Sequence, residues 1–137
     1  MKKIIAVISI SFILNFIWEI SQSFLYAPHY VGIGGLVTVH VQASLGDVLL
    51  VFIILMLDAL VFGFDYAQRI SVRRLMMMTM VGFALAVAME KYALFSGRWT
   101  YDSLMPIIPW LNVGLIPVLQ MMLIPIGVIF IFNRLKK

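Results

Sequence analysis

LVTVHVQASLGDVLLVFIILMLD, residues 36–58, carries the pattern that decides the fold. His40, Ser44, Asp47, Val51, Ile54 and Asp58 follow one another at steps of three or four, so they share one stripe of a helix, polar toward its N-terminal end. From Leu45 onward the other positions are almost all aliphatic or aromatic. A helix with a narrow polar stripe on an otherwise apolar surface turns the stripe inward and the rest toward lipid, because a charged side chain facing hydrocarbon costs several kcal/mol, about 2.5–3.5 on insertion scales.

The rest of the chain agrees. Of 137 residues 64% are hydrophobic and 12% charged, where soluble domains have about 45–50% apolar residues. Apolar runs fall at 4–26, 45–64 (with a helical extension back to about Leu36), 75–95 and 113–133. Each is about 20 residues, the length of helix that about 30 Å of hydrocarbon requires. The expected fold is therefore all-α, an integral membrane bundle of four transmembrane helices in a single domain over residues 1–137. The basic opening of MKKIIAVISISFILNFIW also fits a secretory leader, but Asn15, Glu19 and Gln22 interrupt its apolar run, and its removal would leave an odd number of spans. The absence of cysteine excludes disulfides, thiolate catalysis and cysteine metal sites.

The net charge of +4 is a topology signal rather than a nucleic-acid footprint. Lys2 and Lys3 precede the first span, Arg69, Arg73 and Arg74 lie between the second and third, and Arg134, Lys136 and Lys137 follow the fourth. Lys91 and Arg98 are the exceptions. The positive-inside rule then places both termini in the cytoplasm and residues 26–44 and 96–112 outside. Asp65 and Arg69 have the spacing of an interfacial ion pair.

Span one has a polar stripe of its own, Asn15, Glu19, Gln22 and Tyr26, at steps of four, three and four. Glu90 near the end of span three and Gln120 near the start of span four bring polar groups to a similar depth. The expectation is one cavity in the outer half, lined by Glu19, His40, Asp47, Glu90 and Gln120, whose nearest acids share a proton or a partner such as Lys91. Glu19, Asp47, Glu90 and His40 are the catalytic candidates. Gln22, Ser44, Arg98, Trp99, Tyr101 and Gln120 are the candidates for holding substrate, with Trp99 and Tyr101 suited to stabilising positive charge. Asp58 lies toward the other end, where protonation or a bond to a neighbouring helix would accommodate it. His29 and His40 lack the spacing of a metal motif, so neither metal nor cofactor is expected. The competing reading is that the polar residues hydrogen-bond between helices and fix their register, at about 1 kcal/mol each. Gly82, Ala84, Ala86 and Ala88 would allow close helix contact, and Pro117 and Pro125 would each leave a carbonyl of the fourth helix without its usual donor.

Three stretches carry a resemblance: NFIWEISQSFLY (15–26), HVQASLGDVLLV (40–51) and GRWTYDSLMPIIPWLNVGLIPVLQ (97–120). They resemble a group of small bacterial four-helix membrane proteins. More remotely, Glu90, then GRWTY, then a proline-containing helix start is similar to the membrane domains of carotenoid biosynthesis proteins, including small heterodimeric lycopene cyclases. Where those domains carry a Pro-Leu-Glu-Glu type motif, this chain reads IPVLQ, with Gln120 in place of an acid. The resemblance implies a multi-pass protein of a bacterial cytoplasmic membrane, surrounded by membrane lipids and acting by acid–base chemistry on an apolar lipid or isoprenoid. The alternative is a non-catalytic subunit or lipid-binding bundle, as a homo-oligomer or within a larger membrane complex.

Overall fold

A computed structural model describes residues 2–64 and 70–135. It contains α1 (Lys2–Gln22), extended by one 3-10 turn (Ser23–Leu25), then α2 (Gly32–Phe62), α3 (Val72–Phe95) and α4 (Leu115–Leu135). A short antiparallel pair, β1 (Ile107–Ile108) and β2 (Val113–Gly114), lies between α3 and α4. All four helices are long and apolar enough to cross a membrane. Large side chains such as Ile17, Leu49, Leu60 and Met80 are exposed around the bundle, an outer surface suited to lipid and unsuited to water. The chain is a four-helix bundle with the character of a multi-pass membrane protein.

Neighbours in sequence pack side by side, α4 closes the ring against α1, and α2 touches α4 across the middle. The termini lie at one end of this up-and-down arrangement, and the α1–α2 and α3–α4 connections form the other, here called the distal end. The middle of the bundle is apolar, built from Val51 and Ile54 of α2, Met78 and Ala86 of α3, and Val118 and Val128 of α4.

α2 begins at Gly32, well before the apolar run at Leu45. The inward stripe explains the difference: His40 and Ser44 are buried, at 2% and 0% exposure, and continue the line of Val51, Ile54 and Asp58. Its 31 residues reach about 46 Å, against about 30 Å of hydrocarbon, so the element outruns the span that hydropathy marks.

α3 and α4 meet backbone to backbone at Gly82. A Cβ built there would stand 2.2 Å from the carbonyl oxygen of Met121. That carbonyl is the one Pro125 leaves without its usual N–H donor, and α4 continues through Pro125 as one helix. Of these four small residues of α3, Gly82 and Ala86 are buried, whereas Ala84 and Ala88 are exposed.

Asp58 is bonded to a neighbouring helix. Arg74 of α3 donates to its Oδ2 from Nε at 2.9 Å and from a terminal nitrogen at 2.6 Å, and also to the Gly63 carbonyl at 2.8 Å. The Arg74 guanidinium lies 5.8 Å from the centre of the Phe62 ring. Arg74 is therefore a buried clamp between α2 and α3 as well as a positive flank. The expected Asp65–Arg69 pair, with Lys136 and Lys137, lies outside the described residues.

The distal end is capped by paired loops. α3 stops at Gly97, whose φ of +68° suits glycine. Its N–H reaches the Leu94 carbonyl and that of Arg98 the Ala93 carbonyl, so the last turn is closed by a Schellman pair of bonds. The chain then crosses to the α1–α2 connection: Tyr26 bridges Tyr101, Ala27 N–H donates to the Thr100 carbonyl at 3.0 Å, and Asp102 N–H donates to the Leu25 carbonyl at 2.9 Å.

Candidate functional site

Asn15, Glu19 and Gln22 reach the bundle interior because steps of four and three keep them on one face of α1. Asp47 arrives from α2 and Gln120 from the second turn of α4. The three amide side chains join these groups in a directed network. Gln120 Nε2 donates to Asn15 Oδ1 and to Asp47 Oδ2, both at 2.9 Å. Gln22 Nε2 donates to Gln120 Oε1 at 3.0 Å and to Glu19 Oε1 at 2.8 Å. Asn15 Nδ2 in turn donates to the carbonyl and the hydroxyl of Ser11. Glu19 and Asp47 are joined through the Gln22 and Gln120 amides. Two carboxyl groups from different helices are thus linked through a chain of two glutamines.

The accounting of donors fixes which way each amide points. Gln120 and Gln22 each spend their two N–H groups on oxygen acceptors, and turning either over would set oxygen against oxygen. One acceptor is then left over. Gln22 is 3% exposed, and its buried Oε1 has no hydrogen-bond partner. One helical turn earlier, the buried indole N–H of Trp18 likewise has none.

Glu90 belongs to a second group beneath the cap. Its Oε2 accepts from the Tyr101 hydroxyl and, at 3.3 Å, from Trp99 Nε1. Tyr101 oxygen also accepts the Gly114 N–H at 2.8 Å, so its own proton goes to Glu90. Burial, with that carboxylate beside it, pushes the Tyr101 phenol above its ordinary pKa and keeps it a donor. Tyr26 lies between the groups, its ring centre 5.7 Å from that of Tyr101 and 6.2 Å from that of Trp99.

His40 is buried at the edge of the site. Its Nδ1 lies 2.6 Å from the Leu36 carbonyl, and its ring packs on His29 and Tyr30. A carbonyl can only accept, so Nδ1 carries hydrogen. Ser44 spends its hydroxyl on the His40 carbonyl at 2.6 Å. No group of three or more acids or histidines arranged for a metal occurs among the described residues.

Of the residues singled out from sequence, Glu19, Asp47, Gln22 and Gln120 meet in one network, Glu90, Trp99 and Tyr101 meet in another, and His40 adjoins the first. Arg98 and Lys91 are exposed. The bridging part expected of Lys91 falls to Gln120 instead, because Lys91 follows Glu90 by one residue and a helix turns it 100° away. Ser11 and Asn15 hold one end of the network. Their signal in the sequence is that Ser11, Asn15, Glu19 and Gln22 continue a single stripe.

The fold and site together define a small four-helix membrane-type bundle with a carboxyl network at its distal end. No protein-family model, curated protein or solved structure matches the chain.

Proposed function

We propose that this is a membrane-embedded enzyme that uses Glu19 and Asp47 for acid–base chemistry on a lipid or isoprenoid, in the half of the bundle facing away from the cytoplasm. The observation that carries the reading is the buried network that links these two acids through Gln22 and Gln120. Their hydrogen-bond partners among the described residues are amides rather than lysine or arginine. Two carboxyl groups in one buried network accommodate one proton between them more readily than two negative charges. Such a pair has a proton to give and a base to receive one, which is the minimum for protonating a double bond and removing a neighbouring hydrogen. Glu90 and His40 are the supporting acid and base. The remote likeness to carotenoid biosynthesis proteins points to the same class of apolar substrate.

The test is turnover of polyenes and prenyl lipids by the purified protein in lipid nanodiscs. Glu19→Gln and Asp47→Asn should each lower kcat by about 10²–10⁴. Full activity in a Glu19→Gln, Glu90→Gln double variant would sink the mechanism.

A second reading has its own support. Asn15, Gln22 and Gln120 satisfy their N–H groups within the protein, as residues that only fix helix register would. On that reading Gln120→Leu loosens the bundle, the protein turns over none of these substrates, and it co-purifies as a subunit of a larger complex in mild detergent.

A further inference from the structure

The chain carries no charged side chain from residue 103 to residue 133. α4 begins only at Leu115, and its 21 residues reach about 30 Å, enough for the hydrocarbon by themselves. The apolar character of residues 104–114 therefore needs its own explanation. These residues are the β1–β2 hairpin and its approach. Val113 is fully buried in the apolar core, and Ile108 and Leu111 pack against that core. Leu104, Ile107 and Trp110 are exposed, Trp110 at 93%. A short strand with one face on a core and the other in water alternates apolar with polar residues. Here the exposed positions are as apolar as the buried ones.

The tip of the hairpin presents its indole at a conformational cost. Trp110 has a φ of +66°, in the left-handed region that glycine enters freely and a bulky residue rarely adopts. Asn112 N–H closes the turn on the Ile108 carbonyl at 3.0 Å. At the base, Leu115 N–H donates to the Pro106 carbonyl at 2.7 Å and Gly114 N–H to the Tyr101 oxygen at 2.8 Å. Pro106 and Pro109 have no N–H to satisfy. Base and turn thus meet these hydrogen bonds internally, as a lipid phase requires of backbone polar groups.

We infer that the β1–β2 hairpin lies in the interface of the distal leaflet, with Trp110 as its anchor and lipid as its partner. One continuous segment supplies every part of the case. It offers no charge to water or to a protein partner, and its exposed residues are two aliphatic side chains and a tryptophan. An indole has an apolar body and one N–H, which suits it to the level of the lipid ester and phosphate oxygens. The hairpin runs without a break into the first turn of α4, where a span of this length meets the headgroups. The inference goes beyond the proposed chemistry and does not depend on Glu19 or Asp47. Its consequence reaches the second polar group: Gly114 N–H holds the Tyr101 oxygen, and Tyr101 donates to Glu90, so the lipid contact bears on the cap above that acid.

The experiment places one copy of the full chain in each phosphatidylcholine nanodisc. The emission of Trp110 is the difference between the parent and Trp110→Phe, which keeps an aromatic ring and leaves Trp18 and Trp99 in place. That component should be blue-shifted from an indole in water, lose intensity with phosphatidylcholine brominated on its acyl chains, and resist iodide. A second measurement leaves all three tryptophans intact: Ile107→Cys and Ser96→Cys each carry an environment-sensitive fluorophore, and spin-labelled phosphatidylcholine should quench the label at position 107 more strongly than that at 96. A red-shifted, iodide-quenched Trp110 component would overturn the inference by placing the hairpin in water. A component blind to both quenchers would overturn it too, since the face would then be covered by protein. Lipid quenching no stronger at position 107 than at 96 would have the same force.

Discussion

At Gly82 the absence of a side chain does two things: it lets α3 meet α4, and it lets the Met121 carbonyl freed by Pro125 rest against the Gly82 backbone. An alanine at an ordinary helix position would gain about 1 kcal/mol over glycine. Here its Cβ would have to displace a backbone oxygen 2.2 Å away, and overpacking of that kind costs about 1–3 kcal/mol. The steric effect wins, because a main-chain carbonyl cannot swing aside as a side chain would. Gly82→Ala should lower stability in detergent unfolding, whereas Gly46→Ala, at a position with nothing near its Cβ, should leave it level or slightly raised. A Gly82→Ala protein as stable as the parent would mean that the two helices can separate at no cost.

Among the elements, α2 and α3 are joined at the end near the termini by Asp58 and Arg74, and the stripe that carries Asp58 is the same one that carries Asp47. These two acids differ by their surroundings: Asp58 faces a guanidinium and Asp47 an amide. Asp58→Asn would leave Arg74 buried without its counter-charge, a loss of about 3–5 kcal/mol. Replacing both partners by apolar residues, as Asp58→Leu with Arg74→Met, should recover most of that loss. Unfolding curves of the two single variants and the double give the coupling energy, and additive losses would mean that the pair is not a unit. The inward stripes of α1 and α2 were legible in the sequence because periodicity and the cost of polar groups in lipid act on each helix alone. The partner of Asp58 was not, because Arg74 stands in a basic flank that also reads as a topology signal. The separation of Glu90 from Glu19 was hidden for a related reason: it depends on how residues 99–101 fold back over α3, and helix periodicity does not reach into that loop. Gln120 was legible as a polar group at the right depth. Its place as the hub required knowing that α4 packs against α1 and reaches α2 across the middle of the bundle.

Over the whole molecule, the carboxyl network and the Arg74–Asp58 clamp lie toward opposite ends, with the apolar layer of Val51, Ile54, Met78 and Val128 between them. That polarity gives orientation a functional meaning, since it decides which aqueous phase meets the cap over Glu90. The described basic residues Lys2, Lys3, Arg73 and Arg134 are exposed near the termini and the α2–α3 connection, and Arg98 is exposed at the distal cap with Lys91 close by on α3. Four flanking charges against two favour a cytoplasmic location for the end that holds the termini. The excess is reduced by Arg74, which spends its charge on Asp58 in the folded protein. In the nascent chain that pair has yet to form, so Arg74 still acts on insertion. The sequence has no cysteine, so single cysteines report without background. Ser96 and Ser71 are both exposed, one at the distal end of α3 and the other just before its start. Ser96→Cys should react with a membrane-impermeant maleimide added outside intact cells or right-side-out vesicles, and Ser71→Cys only after the membrane is opened. Labelling of Ser71→Cys alone from outside would invert the molecule and turn the capped carboxyl network toward the cytoplasm. Labelling of both from one side would mean that α3 does not cross the bilayer at all.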